Sequence, residues 1–422
     1  MFLTKPLRLV LQSTTIVAIL AACVGATILY AGVNESGGEF GVFGTPGTGL
    51  PGEFGVTYDF ITESTVDTFV DTNQINFFRV TFLMERMCPL ATGLGSTFNE
   101  TYFSEYEDAI NYITVTKGAY ALIDPHNYMA GRVSSNSFVV SADSSFNRDT
   151  STIPHIKSYL QLISSRFSDP SSQPNSGSII GDTTDPNAAT TEQFQEFWTE
   201  LASRFVDNPQ VVFGINNEPH DMATSLILQN DQAAINGIRS TGATQLILAP
   251  GNGFTGGHSW TQVTGANDDP SSEWLNQIVD PLNNTAIDIH EYLDEDFSGS
   301  HDTCTQPGPS NLAALTTWLQ ENNLKAVVSE FGGSNDPTCL ELVPELINYL
   351  SENDVYIGWS AWAAGPFWGT NSPCCGPEVG SLEPGQLDEE GGPNGYTTVW
   401  QAVIQPNIDL SDLKRSGVSS LS

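Results

Sequence analysis

Two short segments each carry an apolar run straight into a glutamate: Val212-Phe213-Gly214-Ile215-Asn216-Asn217-Glu218-Pro219 and Val327-Val328-Ser329-Glu330-Phe331-Gly332-Gly333. Breaking a glycosidic bond takes one carboxyl group to protonate the departing oxygen and a second to stabilise or attack the cationic carbon, and Glu218 with Glu330 could supply both. One glutamate at the end of one strand would more simply be a charge reaching solvent. Other strand-like runs, however, end in residues of equally useful types: Arg79, His126 with Asn127, Asn217, His290, Tyr292, and the tryptophans Trp260 and Trp362. Arg79 and Tyr292 suit the task of holding one carboxylate ionised through donated hydrogen bonds. Asn217 could donate to a sugar 2-hydroxyl, and His126 and His290 could tune the acid or bind hydroxyls. The tryptophans offer flat apolar faces to a sugar ring.

Positioning such a set requires many strand ends at one face. Eight runs rich in β-branched and aromatic residues recur along the chain, at 28–33, 77–80, 121–124, 211–215, 246–249, 286–289, 326–328 and 355–359. Amphipathic helical patterns lie between several of them. Phe194, Phe197, Trp198, Leu201 and Phe205 follow helical spacing behind a Thr190-to-Gln193 capping box, and a second pattern through Ala109, Ile110 and Ile113 stops at Gly118. Apolar strands alternating with helices imply a parallel sheet covered on both faces, and eight units imply a closed α/β (β/α)8 TIM barrel, with an open doubly wound sheet as the alternative. Function in such a barrel gathers at the carboxyl ends of the strands.

The 422 residues include 49 acidic and 14 basic ones, a formal charge of −35, which excludes nucleic acid and anionic membrane surfaces as partners. The glycine-rich stretch 44–52 lacks the lysine and spacing of a phosphate loop, so no nucleotide cofactor is expected. Residues 1–26 read as a signal peptide, with Lys5 and Arg8 before an apolar run ending in Val24-Gly25-Ala26, and secretion is the expectation. An uncleaved anchor is the alternative, because apolar character continues to Val33. Asn34, Asn99 and Asn283 each begin a glycosylation acceptor pattern, of which Asn99 and Asn283 are favoured. Of the six cysteines, cleavage after Ala26 would leave five, and the adjacent Cys374-Cys375 pair has no metal-ligand spacing, so neither a zinc site nor another metal is expected.

The segments Ile123-Asp124-Pro125-His126-Asn127-Tyr128, Phe213 to Asp221, and His290-Glu291-Tyr292-Leu293-Asp294 with Ser298, Gly299, His301 and Cys304 resemble the fungal-type endoglucanases of glycoside hydrolase family 5. The resemblance runs from Ile28 to about Ile408. It implies a retaining (β/α)8 glycosidase in which Glu218 is the acid/base and Glu330 the nucleophile, with carboxyl groups about 5 Å apart. It carries supporting roles to Arg79, His126, Asn217, His290, Tyr292 and Trp362, and a family disulfide to Cys304 and Cys339. The implied activity is a secreted, metal-independent endo-β-1,4-glucanase acting as a monomer on β-glucan, with no stable protein partner. The same mechanism on β-mannan or β-1,3-glucan, and a non-catalytic carbohydrate-binding wall protein, are the alternatives.

Two departures carry expectations of their own. Glu291 sets a negative charge beside His290, which should raise the pKa of its neighbour. Residues 133–173 form a serine-rich insertion absent from the family pattern, either a flap or a translated intron. The expected organisation is therefore a signal segment 1–26, one catalytic domain 27–408 with this insertion, and a polar tail 409–422.

Overall fold

A computed structural model describes residues 28–42, 49–130, 178–264, 269–368, 380–388, 391–411 and 413. The signal segment, the insertion at 133–173, Cys374, Cys375 and most of the tail lie outside the described residues. Eight parallel strands close on themselves in chain order: β1 Tyr30–Glu35, β2 Phe77–Phe82, β3 Tyr120–Pro125, β4 Val211–Gly214, β5 Ile247–Pro250, β6 Thr285–His290, β7 Ala326–Glu330 and β8 Tyr356–Ala364. All eight expected runs fall on these strands, and the barrel rather than the open sheet is realised. Among the described residues no helix is long and apolar enough to cross a membrane.

Strand alternation divides the molecule into an outer and an inner core. Outward residues such as Val33, Phe78, Val80, Ile123, Phe213, Ile287 and Val328 pack against the surrounding helices. Inward residues Tyr30, Phe77, Tyr120, Leu122, Val212, Leu248, Ala286 and Val327 fill the floor of the barrel. Further along β1, β2, β3, β6 and β7 the inward positions turn polar, giving Asn34, Arg79, Asp124, Asp288 and Ser329, all at most 2% exposed. Gly32 is required where it stands, since a Cβ there would lie 1.7 Å from the Phe77 carbonyl oxygen of the neighbouring strand.

Helix Thr191–Phe205 carries the expected capping box, with Gln193 N donating to Thr190 Oγ1 at 3.2 Å and Thr190 N donating to Gln193 Oε1 at 2.9 Å. Its stripe Phe194, Phe197, Trp198, Leu201 and Phe205 is buried against the barrel. The pattern through Ala109 and Ile110 belongs to helix Glu100–Asn111, which widens into a π-helical last turn at Tyr112–Thr116 before Gly118 at φ 70°. Asn99 caps that helix by accepting from Tyr102 N, Asn283 lies exposed in a turn at φ 49°, and Asn34 is buried inside the barrel. The Cys304–Cys339 disulfide ties the loop after β6 to the first turn of helix Pro337–Glu352, and Cys88 is a buried thiol.

β1 ends in a liability. Glu35 is fully buried and both of its carboxyl oxygens lack a hydrogen-bond partner. Burial, then the nearby Glu383 and Asp59, push its pKa well above the ordinary value. A carboxyl group raised in this way keeps its proton in the folded chain after the unfolded chain has lost it, so folding is progressively penalised as pH climbs above the unfolded value of about 4.3. Glu35→Gln should therefore flatten the decline of the thermal midpoint between pH 4 and pH 8. Parallel midpoint curves for the two proteins would show that Glu35 does not titrate differently on folding.

Candidate active site

Arg79 is the hub of the polar upper barrel. Rising from β2 and completely buried, its Nη1 donates to Asn34 Oδ1 on β1 at 3.0 Å and to Glu330 Oε1 at the end of β7. Its Nη2 donates to Asn217 Oδ1 at 2.6 Å and pairs with Asp124 Oδ2 on β3 at 3.1 Å. Burial opposes the guanidinium charge, but Asp124, Glu330 and Asp288 outweigh it and the pKa is raised. One planar fork thus fixes four partners in place. Asn34 is held in turn, its Nδ2 donating to Ser329 O at 2.9 Å and Ala361 O at 3.1 Å.

The two glutamates meet in different surroundings. Glu330 accepts from Arg79 and, through Oε2, from Tyr292 OH at 2.9 Å. Two donated hydrogen bonds, one of them from a cation, are the contacts that a carboxylate nucleophile requires. Glu218 leaves β4 at φ 41°, a backbone region that non-glycine residues seldom occupy. Its pKa is pushed up to about 7, chiefly by burial. Its Oε1 lies 2.7 Å from His290 Nδ1.

The direction of that last bond follows from what stands behind it. Burial holds His290 below its usual pKa, so the ring is neutral and carries one N–H. Glu218, raised in turn, keeps the proton and donates it to Nδ1. The one N–H of the ring is then on Nε2, 3.1 Å from Ser329 Oγ. One oxygen each of Glu218 and Glu330, with a nitrogen of His290, lie within 4.8 Å of one another. That spacing could hold a cation geometrically, but the Arg79 guanidinium on Glu330 already supplies the positive charge and repels a second one. The other such cluster, Asp294, Asp296 and His301, closes on itself: His301 Nδ1 is 2.9 Å from Asp294 Oδ2, which together with its acid neighbours raises the histidine pKa.

The remaining expected residues divide. Asn217 is fully engaged on one side, facing His126 Nε2 through Nδ2 at 3.2 Å, and His126 Nδ1 lies 2.9 Å from Asp124 Oδ2. Trp362 is partly exposed and stacks on His126 with centroids 5.4 Å apart, while its N donates to Phe331 O at 2.8 Å. Asn127 is brought near but turned away, its side chain bonded to Met84 N and Glu85 Oε2. Trp260 is not brought to the site: it is 1% exposed and packs against Trp318 at 5.4 Å. Glu291 does not act on His290, because adjacent strand residues face opposite ways; its carboxylate accepts from His258 N at 2.8 Å and Asn311 Nδ2 at 3.0 Å. His290 is accordingly lowered rather than raised.

Several members of the site escaped sequence reasoning. Asn34 was hidden in an acceptor pattern for glycosylation, and Asp124, Asp288 and Ser329 sit before the strand ends rather than at them. Their signal was the period of two, since Asp124 and His126, and Asp288 and His290, share a face. Glu39 also enters the cleft behind a glycine pair, accepting from Gly37 N at 2.9 Å and from Thr81 Oγ1, and it bears electrostatically on His126 and Tyr128.

Comparison with known proteins agrees with this arrangement. The chain matches the model of the cellulase family, glycosyl hydrolase family 5, over residues 33–366. It is 57% identical over 410 residues to Endoglucanase 1 of Robillarda sp. (strain Y-20), covering 96% of each chain. It is 34% identical over 360 residues to endo-beta-1,4-glucanase B of Aspergillus niger, covering 85% of this chain and 88% of that one. Among solved structures, XacCel5A in complex with cellopentaose superposes with a TM-score of 0.68 at 27% identity, over 90% of this chain and 99% of that one. With the family model spanning most of the barrel and relatives this similar, the chain belongs to glycosyl hydrolase family 5, the cellulases.

Proposed function

We propose that this chain is a secreted endo-β-1,4-glucanase that hydrolyses internal bonds of β-glucan with retention of anomeric configuration. The observation that carries the mechanism is the separation of the two carboxyl groups. Oxygens of Glu218 and Glu330 within 4.8 Å of each other leave no room for the water that an inverting enzyme seats between substrate and base, whereas a retaining enzyme holds its carboxyl groups about 5 Å apart. The preference for β-1,4-glucan rests on the endoglucanase relatives and on the relative bound to cellopentaose.

In the first step a Glu330 oxygen attacks the anomeric carbon, the glycosidic C–O bond breaks, and Glu218 passes its proton to the departing oxygen. Charge is then redistributed as the site is built to accept it. Glu218 becomes a carboxylate as Glu330 loses its charge to the ester, so the two never carry full negative charge together. Water, deprotonated by Glu218, next attacks the same carbon and releases Glu330, returning the proton to Glu218. Asn217 keeps one N–H for the sugar 2-hydroxyl, and Trp362 with His126 beneath it supplies the apolar face. Secretion rests on the charged and apolar pattern of residues 1–26.

Proton NMR of the first-formed product should show the β-anomer before mutarotation; initial release of the α-anomer would overturn the double displacement. Glu330→Gln should abolish cleavage of β-1,4-glucan, and Glu218→Gln should lower kcat by roughly 10²–10⁴-fold. Because the acid must be protonated in the free enzyme, kcat/KM should fall as pH rises through about 7, a limb absent from Glu218→Gln. Arg79→Lys keeps the charge but not the fork, and should cut kcat by about a hundredfold or more while lowering the thermal midpoint, since a buried carboxylate loses its partner; wild-type kcat in this variant would remove Arg79 from the mechanism.

A further inference from the structure

Two aromatic stacks at the rim of the cleft have no part in the chemistry just described. His220, in the loop after β4, lies flat on Phe254, in the loop after β5, with centroids 4.2 Å apart and planes 16° apart. His258, further along that loop, lies on Phe297, in the loop after β6, at 3.7 Å and 8°. These are the shortest ring separations among the described residues, the next being the 4.8 Å edge contact of Phe69 with Trp400.

The stacks are built alike. Each histidine presents Nδ1 to a carboxylate, Asp221 Oδ2 at 2.7 Å and Glu291 Oε2 at 3.3 Å. Each phenylalanine adopts a left-handed backbone, φ 60° for Phe254 and φ 63° for Phe297, which bulky residues rarely tolerate. Strain of this kind persists where function selects it. One ring of each stack is open to solvent, Phe254 at 37% and the His258 side chain at 24%, while His220 beneath Phe254 is 9% exposed.

Their tethers run to the proton donor. His290 N donates to Thr255 O at 3.1 Å and Gly257 N donates to His290 O at 3.0 Å, so the loop bearing Phe254 and His258 is locked to the histidine that holds Glu218. Phe254 N also donates to Pro219 O at 3.1 Å, the residue after Glu218. Trp362 is tethered instead to Phe331, the residue after Glu330. The two histidine-phenylalanine stacks are therefore tied to the proton donor, which must reach the oxygen of the leaving sugar, whereas Trp362 is tied to the residue after the nucleophile and stacks on His126.

We propose that His220 with Phe254 and His258 with Phe297 are stacking platforms for the glucosyl units of the leaving group. The proposal rests on the endoglucanase reading above. Flat, pre-ordered rings meet the apolar face of a pyranose with little loss of side-chain freedom, and the carboxylate on each imidazole keeps the platform from turning.

Phe254→Gly and Phe297→Gly test this cleanly, because glycine accepts the left-handed backbone without cost: each deletes a ring while relieving strain. The measured quantity is the ratio of kcat/KM on cellopentaose to kcat/KM on β-cellobiosyl fluoride, whose leaving group carries no sugar. Each variant should lower that ratio about tenfold, the size of one stacking contact, and Phe254→Trp should restore most of it. Trp362→Ala should depress both substrates and leave the ratio near that of the parent. Equal losses on both substrates, or an unchanged ratio in both glycine variants, would overturn the platforms while the parent's cleavage of cellopentaose left the endoglucanase reading intact. A parent that does not cleave cellopentaose would overturn both.

Discussion

A charge taken out of water inside a protein is tolerated only if its surroundings replace the hydration it gave up. The Arg79 guanidinium meets that condition by drawing β1, β3, β4 and β7 towards β2, accepting Asn34, Asp124, Asn217 and Glu330 as its shell. Much of the upper barrel is then determined. Asn34 must turn its amide towards the carbonyls of Ser329 and Ala361, Asn217 must face His126, and Glu330 must keep one oxygen on the fork. Glu218 lies outside this shell, and burial raises its pKa to about 7 against the lowering influence of His126 and Arg79. Two chemically identical side chains thus meet opposite surroundings, the division of labour that acid and nucleophile need.

The same economy explains why the barrel has a floor and a mouth. Tyr30, Phe77, Tyr120 and their inward neighbours close the base with apolar volume, so the polar layer above rests on a packed surface. Buried polar networks specify one arrangement only when their members are satisfied. Satisfaction fails at Glu35, one residue beyond Asn34 on the same strand, and at Arg79 Nε and Asp288 Oδ1 within the layer. The rim loops lie above this layer, and the histidine-phenylalanine stacks sit among them.

Most of the architecture was legible in the sequence because periodicity and local capping report it directly: eight runs lie on eight strands, and Thr190 with Gln193 cap the helix they announced. The reading of strand ends was too narrow. It looked for chemistry where apolar character stops, whereas Asp124, Asp288 and Ser329 stand inside the strands, in register with the floor residues. Trp260 shows the opposite failure. Its fate depends on Trp318, far away in sequence, and no local pattern distinguishes a tryptophan that meets another from one that meets solvent. Glu291 was misjudged by adjacency: neighbours in a strand point apart, and the carboxylate assigned to His290 serves His258.

Asn34 carries a further consequence, for biosynthesis. Asn34-Glu35-Ser36 meets the chemical requirement for N-glycosylation, yet the folded asparagine is sealed inside the barrel by Ser329 and Ala361, 295 and 327 residues downstream. At roughly 5–20 residues per second, ribosomes take on the order of 15–65 s to deliver those partners. In any cell that glycosylates nascent chains, closure of the barrel races against attachment of a glycan that the finished interior, where Asn34 is fully buried, has no space to hold.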